Sequence, residues 1–160
     1  MSLIVLRDEI KEFIDNHKQV RRFEFEFEEQ LPNYSQSGLE YPLLFCVPVD
    51  FVNRDSLVEY TMRFYCYNRL ERDRNTTLDN MNDTMLILID LMKWFSDDNS
   101  DSDILIINNP IASALNNSQN DYLQGYVVEI VFEMPSYSRC DIPLQQFYFS
   151  PGYINTGYIF

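Results

Sequence analysis

The sequence is short of the residue types on which most catalytic sites depend. It has one histidine, His17, and four glycines, which form neither a G-x-x-x-x-G-K-[ST] nor a G-x-G-x-x-G loop. Nucleophilic catalysis usually needs a base beside Ser or Cys, most often His, and zinc needs clustered Cys and His. We expect His17 to cap carbonyl groups at the end of a helix. The sequence therefore predicts no catalytic residues, no bound metal and no cofactor.

Cysteine and long apolar runs are also scarce. The three cysteines, Cys46, Cys66 and Cys140, are far apart and form no CxxC motif. Cys46 and Cys66 lie in apolar, strand-like runs, which predicts reduced, structural thiols. No run approaches the roughly 20 apolar residues of a membrane span, and the four-residue run before Arg7 is too short for a signal-peptide core. We therefore expect a cytoplasmic product with no membrane partner.

Basic residues are few, and their distribution is uneven. The chain has 12 Lys and Arg against 25 Asp and Glu, a net charge of −13. After Lys93 the only basic residue is Arg139, whereas the acidic residues there are Asp97, Asp98, Asp101, Asp103, Asp121, Glu129, Glu133 and Asp141. Because nucleic-acid binding needs cations that displace counterions, such a surface repels phosphate backbones. It could still form a wall past which DNA slides.

The sequence does contain ample material for a core, with 12 Phe and 11 Tyr among 160 residues. Two segments show helical periodicity, 2–17 and 77–95. The predicted buried stripe of the first comprises Leu3, Leu6, Ile10, Phe13 and Ile14. That of the second comprises Leu78, Met81, Met85, Leu88, Ile89, Met92 and Phe95.

Alternating polar and apolar residues predict five strands, at 21–29, 43–51, 57–68, 104–107 and 122–134. A short turn at 53–55 predicts an antiparallel hairpin, and Pro48 indicates an edge position or a bulge. Segments 30–41 and 108–120 are predicted loops. The order α-β-β-β-α-β-β indicates an α+β domain, 1–140, whose mainly antiparallel sheet carries both helices on one face. An extended C-terminal arm, 141–160, follows it.

Three patterns suggest chemistry, and each has a simpler explanation. Segment 97–101 begins like a calcium loop, but Ser102 and Asn108 replace the glycine and the glutamate that such a loop needs. Alternate glutamates at 24–29 share one strand face, which favours a solvated or interface surface over a hydrolytic pair. Aromatic residues of the third strand could stack single-stranded bases, but few basic residues accompany them, so core packing is favoured. Those aromatic residues are Tyr60, Phe64, Tyr65 and Tyr67.

The arm is too rich in apolar rings to stay solvated, so it must pack on its own domain or on a neighbour. We therefore predict that its rings form a subunit interface. These candidate residues are Phe147, Tyr148, Phe149, Tyr153, Tyr158 and Phe160.

Segment 121–140 carries a resemblance to a known class of proteins. Asp121-Tyr122-Leu123-Gln124-Gly125-Tyr126, an apolar strand, Pro135 and Cys140 resemble the closing strand of phage neck proteins. These are the tail-completion, tail-terminator and head–tail joining proteins, and the pattern is most similar to those of crAss-like phages. Tyr126 stands where tryptophan is more usual. The order of elements over 1–140 also fits the small α+β fold of these proteins.

The resemblance implies a structural virion protein, assembled in the host cytoplasm. It would form a homo-oligomeric ring that joins the capsid portal to the tail. Its partners would be copies of itself, the portal or an adjacent neck ring, and tail proteins, with DNA passing through unbound. The acidic surface and the apolar arm are compatible with this role. A small binding module for single-stranded nucleic acid or a host factor is the alternative.

Overall fold

The computed structural model describes residues 3–25, 40–69, 77–96, 103–116 and 123–136. It contains two helices, α1 (Leu3–Asn16) and α2 (Thr77–Ser96). The strands are β1 (Arg22–Phe25), β2 (Leu43–Arg54), β3 (Leu57–Arg69), β4 (Leu105–Ile106), β5 (Ala112–Asn116) and β6 (Leu123–Pro135). The predicted α+β class is confirmed. The predicted arm, and with it the domain boundary at 140, lies outside these residues.

The strands form one six-stranded sheet in the order β1-β2-β3-β6-β4, with β5 also paired to β6. Only β1 and β2 are parallel, and every other pairing is antiparallel. The prediction of a mainly antiparallel sheet is therefore confirmed. Because β6 pairs with β3 on one side and with β4 and β5 on the other, it is the central strand of this half of the sheet.

The predicted hairpin consists of β2 and β3, and both strands extend further than the sequence pattern indicated. The turn between them is Asp55 and Ser56, and Asp55 has a φ of 47°. Aspartate tolerates this left-handed conformation better than most residues, and two-residue hairpin turns require it. The register shifts between Pro48 and Asp50, so of the two features that Pro48 indicated, an edge position or a bulge, the bulge is confirmed.

The main core lies between the sheet and the two helices. Alternate residues of β3 and β6 point into it, and so do Leu44 and Cys46 of β2. Four residues of the predicted α1 stripe are buried there, namely Leu6, Ile10, Phe13 and Ile14. Because both helices contribute to this one cluster, they pack on the same face of the sheet, as predicted.

The buried face of α2 differs from the prediction. Leu78 was expected inside but is 81% exposed, whereas Asn80 and Thr84 are buried. The polar groups of both residues are satisfied: Asn80 bonds to the end of β3, and the Thr84 hydroxyl donates to the carbonyl oxygen of Asn80 at 2.9 Å. A polar side chain whose hydrogen bonds are all made can be buried at little cost in free energy. The buried face of α2 therefore includes Asn80 and Thr84, and it is not the face that apolar periodicity indicates.

The predicted loop at 108–120 contains a strand. Residues Ala112–Asn116 pair with β6 from Val128 to Gln124. The segment Ala-Ser-Ala-Leu-Asn shows little alternation, so periodicity does not reveal it. It forms a strand because β6 offers it an unpaired edge and because Leu115 packs against buried residues on the helix-free face.

Candidate interaction surfaces

The interface residues predicted from the sequence all lie in the arm. Those residues, Phe147, Tyr148, Phe149, Tyr153, Tyr158 and Phe160, lie outside the described ranges. The described residues show two other apolar surfaces, one at each edge of the sheet. Neither surface was singled out by the sequence.

The first surface is the distal part of β2. Described residues of β1 pair with residues 43–46 of β2, and the distal part of β2 runs from Pro48 to Arg54. Three apolar side chains are exposed along this segment, and we call them the β2 edge: Val49, Phe51 and Val52. Phe51 is 67% exposed, although its ring lies 6.2 Å from that of Tyr60. Exposed apolar side chains grouped along one strand in this way are typical of contact sites.

The second surface is at the opposite side of the sheet, along β4 and the residues that follow it. Its exposed side chains, which we call the β4 edge, are Leu105, Ile107 and Ile111. Ile111 is 80% exposed. Large apolar groups that are grouped at an edge, rather than scattered singly, are typical of contact sites.

The β2 edge and the β4 edge lie at the same position along the strand direction of the sheet. The register places Val52 opposite Glu59, Glu59 opposite Glu133, and Glu133 opposite Leu105. The adjacent row runs in the same way through Phe51, Tyr60, Phe132 and Ile106. Three strand spacings therefore separate Val52 from Leu105, a distance of about 14 Å.

Charged residues cover the sheet beside these edges on the face without helices. Two arginines of this face are paired with glutamates: Arg54 with Glu59 at 2.9 Å and Arg63 with Glu129 at 3.1 Å. Arg63 does not face the glutamates of β1, because β3 is flanked by β2 and β6. Asp50 and Glu133 add negative charge to this face.

The other half of the helix-free face is apolar. Phe45, Val47, Tyr65, Tyr67 and Leu123 form a second buried cluster. The rings of Tyr65 and Tyr67 are stacked, with centroids 6.0 Å apart. Burial raises the pKa of the neighbouring Tyr41, and the charge of Arg69 partly offsets this.

The aromatic residues proposed as a base-stacking platform are mostly inside the protein. Phe64 lies in the main core, and Tyr65 and Tyr67 lie in the second cluster. Tyr60 is half-buried and packs against the main core. Core packing, the interpretation favoured from the sequence, is confirmed for these residues.

Gly125, part of the motif that resembles neck proteins, lies inside β6 opposite Tyr67 of β3. A Cβ atom at this position would overlap the carbonyl oxygen of Cys66 and lie 2.8 Å from its carbonyl carbon. The backbones of β3 and β6 therefore approach too closely here for any side chain. Glycine inside a strand often marks such an approach.

His17 connects the two helices, and it does not cap carbonyl groups with its side chain as expected. Its Nδ1 accepts a hydrogen bond from the backbone N–H of Gln19 at 3.3 Å. The proton is then on Nε2, which donates to the Asp90 carboxylate at 3.4 Å. The ring also lies 5.1 Å from that of Phe13. These contacts give His17 a structural role at the junction of α1 and α2.

Both described cysteines are free and buried, as predicted. Burial raises the pKa of the Cys46 thiol well above its ordinary value, and it raises that of Cys66 in the same direction. A thiol that resists ionisation is a poor nucleophile. Cys140 lies outside the described ranges.

No cluster of three metal-ligating side chains occurs in the described part of the chain. Of the calcium-like segment, 97–102 lies outside it, and Asn108 has a different role. Its side-chain amide donates to the carbonyl oxygen of Glu129 at 3.0 Å and accepts from the N–H of Val131 at 2.9 Å. Asn108 thus continues the pairing of β4 with β6. Neither described helix combines the length and apolar character that crossing a bilayer requires.

Comparison with known proteins gives no relative from which a role could be inferred. No protein family matches the sequence, and no curated protein is significantly similar to it.

Proposed function

We propose that this protein is a structural subunit of a phage neck, where copies of it form a ring between the capsid portal and the tail. The ring surrounds the channel through which DNA passes. The observation that supports this best is the pair of unlike apolar edges at opposite sides of one sheet.

A ring needs two different surfaces that fit each other, since each subunit contacts its neighbours head to tail. The β2 edge and the β4 edge meet this requirement. Each presents exposed apolar side chains, and the two lie at opposite sides of the sheet, one along distal β2 and the other along β4. Joining the β2 edge of one copy to the β4 edge of the next would extend the sheet from subunit to subunit.

The common level of the two edges favours a closed ring. A head-to-tail contact closes when successive subunits do not shift along the axis, and otherwise gives a helical filament. Val52 and Leu105 lie in one row of the sheet, so a contact between them introduces little shift along the strands.

The charge on the helix-free face of the sheet suits a channel through which DNA slides. On the helix-free face both Arg54 and Arg63 are already paired with glutamates. Their charges are therefore neutralised locally, while Asp50 and Glu133 remain to repel phosphate groups. With a net charge of −13 on each chain, a ring lined by this face would surround DNA without binding it.

The experiment that tests the proposal is antibody labelling of virions of the phage that carries this gene. Label at the junction of head and tail is expected, and label elsewhere on the particle, or none, contradicts the proposal. A phage with Phe51→Lys should accumulate DNA-filled heads that have no tails. Leu78→Lys is the matched control, because Leu78 is also a largely exposed apolar residue but belongs to α2 and to neither edge. Loss of tails in both variants, or in neither, would also count against the proposal.

A further inference from the structure

A cleft with a volume of about 520 Å³ lies between the end of α1 and the start of β1. Its floor is apolar: Ile14 and Val20 are buried, and Phe23 is half-buried. This volume is within the range of small-molecule sites, which typically combine an apolar lining with a few convergent polar groups.

The rim of the cleft is basic, although the chain as a whole is strongly acidic. Lys11, Lys18, Arg21 and Arg22 line it, four of the 12 basic residues in the chain, with Asp15 as the only acidic residue of the lining. Arg22 is paired with Glu24. The other three cations form no ion pair with any described residue. Set against Asp15, these three leave a local charge of about +2.

The helix dipole does not account for this cluster. Cations in the last turn of a helix are stabilised by its unpaired carbonyl groups, but α1 has no basic residue in its last turn, and Lys18 follows the end of the helix by two residues. The effect fades beyond that turn, and Arg21 lies five residues after the end of α1. The backbone N–H of Arg21 donates to the carbonyl oxygen of Pro42 at 3.0 Å, which fixes its position on the rim.

We propose that this cleft binds a small molecule in which a phosphate group is joined to an apolar or aromatic body. A phosphate ester carries a charge of about −1.5 to −2 at neutral pH and three acceptor oxygens, which complements the cations that line the rim of the cleft. The body of the ligand would lie on Ile14, Val20 and Phe23. A concave site with an apolar floor fits such a molecule better than it fits a flat acidic protein surface.

Calorimetric titration of the full-length protein with adenosine monophosphate tests the proposal. Adenosine, which lacks the phosphate, and inorganic phosphate, which lacks the apolar body, are the comparison ligands. The nucleotide should bind more tightly than either, and its affinity should fall as salt is added. No binding of the nucleotide, or equal binding of adenosine, would overturn the proposal.

Charge-removing variants locate the site. Lys18→Gln and Arg21→Gln should each weaken nucleotide binding by about tenfold, because each removes a charged partner of the phosphate. Arg54→Gln is the control, since Arg54 is exposed at the turn end of the hairpin, far along β2 from residues 43–46 that pair with β1. An equal loss in the control would overturn the assignment, as would binding of a DNA oligonucleotide without binding of the mononucleotide. None of these outcomes bears on the ring, because the cleft contains no residue of either sheet edge.

Discussion

The Nδ2 of Asn68 donates a hydrogen bond to the Oδ1 of Asn80 at 3.1 Å, which joins the end of β3 to the first turn of α2. The Nδ2 of Asn80 in turn donates to the carbonyl oxygen of Arg69 at 3.0 Å. The buried side-chain amide of Asn80 therefore provides a hydrogen-bond partner for both the Asn68 side chain and the Arg69 carbonyl group at the end of β3. It also sets where α2 begins and which of its faces meets the sheet.

Replacing this amide should destabilise the protein. Asn80→Ala leaves the Asn68 amide and the Arg69 carbonyl without their partner, so the free energy of unfolding should fall by about 1–3 kcal/mol. Asn82→Ala, two residues along the same helix, changes an exposed side chain and should alter it by less than about 0.5 kcal/mol. Urea denaturation measures both values, and equal effects would show that the amide does not hold the junction.

A side chain at Gly125 should be tolerated poorly. Gly125→Ala forces the backbones of β3 and β6 apart at Cys66, and the cost should reach about 3 kcal/mol or more, the upper end for overpacked sites. Ser113→Ala on neighbouring β5 is the control, because Ser113 is exposed and should change stability little. Thermal denaturation of the two variants measures the difference. A Gly125→Ala protein as stable as the control would refute the close approach.

Asn108 should stabilise the attachment of the β4 edge to β6. Asn108→Ala removes both hydrogen bonds to the β6 backbone, and we expect a loss of about 1–3 kcal/mol in the free energy of unfolding. Asn109 is exposed, so Asn109→Ala serves as the control. Hydrogen exchange of the Val131 amide provides a local measurement. It should accelerate in the first variant alone, and unchanged protection would contradict the role given to Asn108.

The buried thiols should be unreactive in the folded protein. Because burial raises the pKa of Cys46 and of Cys66, the thiolate that reacts with alkylating reagents is disfavoured. In a Cys140→Ser variant at mildly alkaline pH, both thiols should react only as fast as the protein unfolds. Fast reaction under native conditions would contradict their burial.

The raised pKa values of the Cys46 and Cys66 thiols also make the stability of the protein depend on pH. An unfolded thiol ionises near about pH 8.5, whereas the folded thiols stay protonated to higher pH. Their contribution to stability is therefore complete below that pH and declines as the pH rises above it. Cys66→Ala should reduce this alkaline decline, which denaturation curves across the pH range would detect.

Much of this fold is readable from the sequence because its main signals are periodic. The α1 stripe, the hairpin and the alternation of β6 place apolar side chains at spacings that only one type of element satisfies. Each of these was predicted within a few residues of its observed bounds. In the structure, the side of β6 that carries Val128 and Ile130 packs in the core.

The features that the sequence did not reveal depend on partners distant in the chain. Asn80 and Asn108 look like ordinary surface residues until the groups they bond are known. Strand β5 has too little alternation to be recognised, and the partner of Arg63 follows from strand order, which periodicity does not determine. The two sheet edges were missed for the same reason, since an edge exists only once the order of strands is known.

Disulfide trapping tests most directly whether the β2 edge of one copy meets the β4 edge of the next. Val52→Cys and Leu105→Cys are made as separate proteins, each with Cys140→Ser so that the remaining native thiols are the buried ones. The two proteins are mixed at high concentration and oxidised. Leu78→Cys replaces Leu105→Cys in a control mixture, because Leu78 is exposed but belongs to neither edge.

A head-to-tail contact predicts a disulfide between the Val52→Cys and Leu105→Cys proteins, and little cross-linking of either protein with itself or with the Leu78→Cys control. A double variant that carries both cysteines should then yield a closed oligomer of defined size. Cross-linking of Val52→Cys with itself would indicate a symmetric dimer. That result, or no cross-linking in any mixture, would contradict the ring.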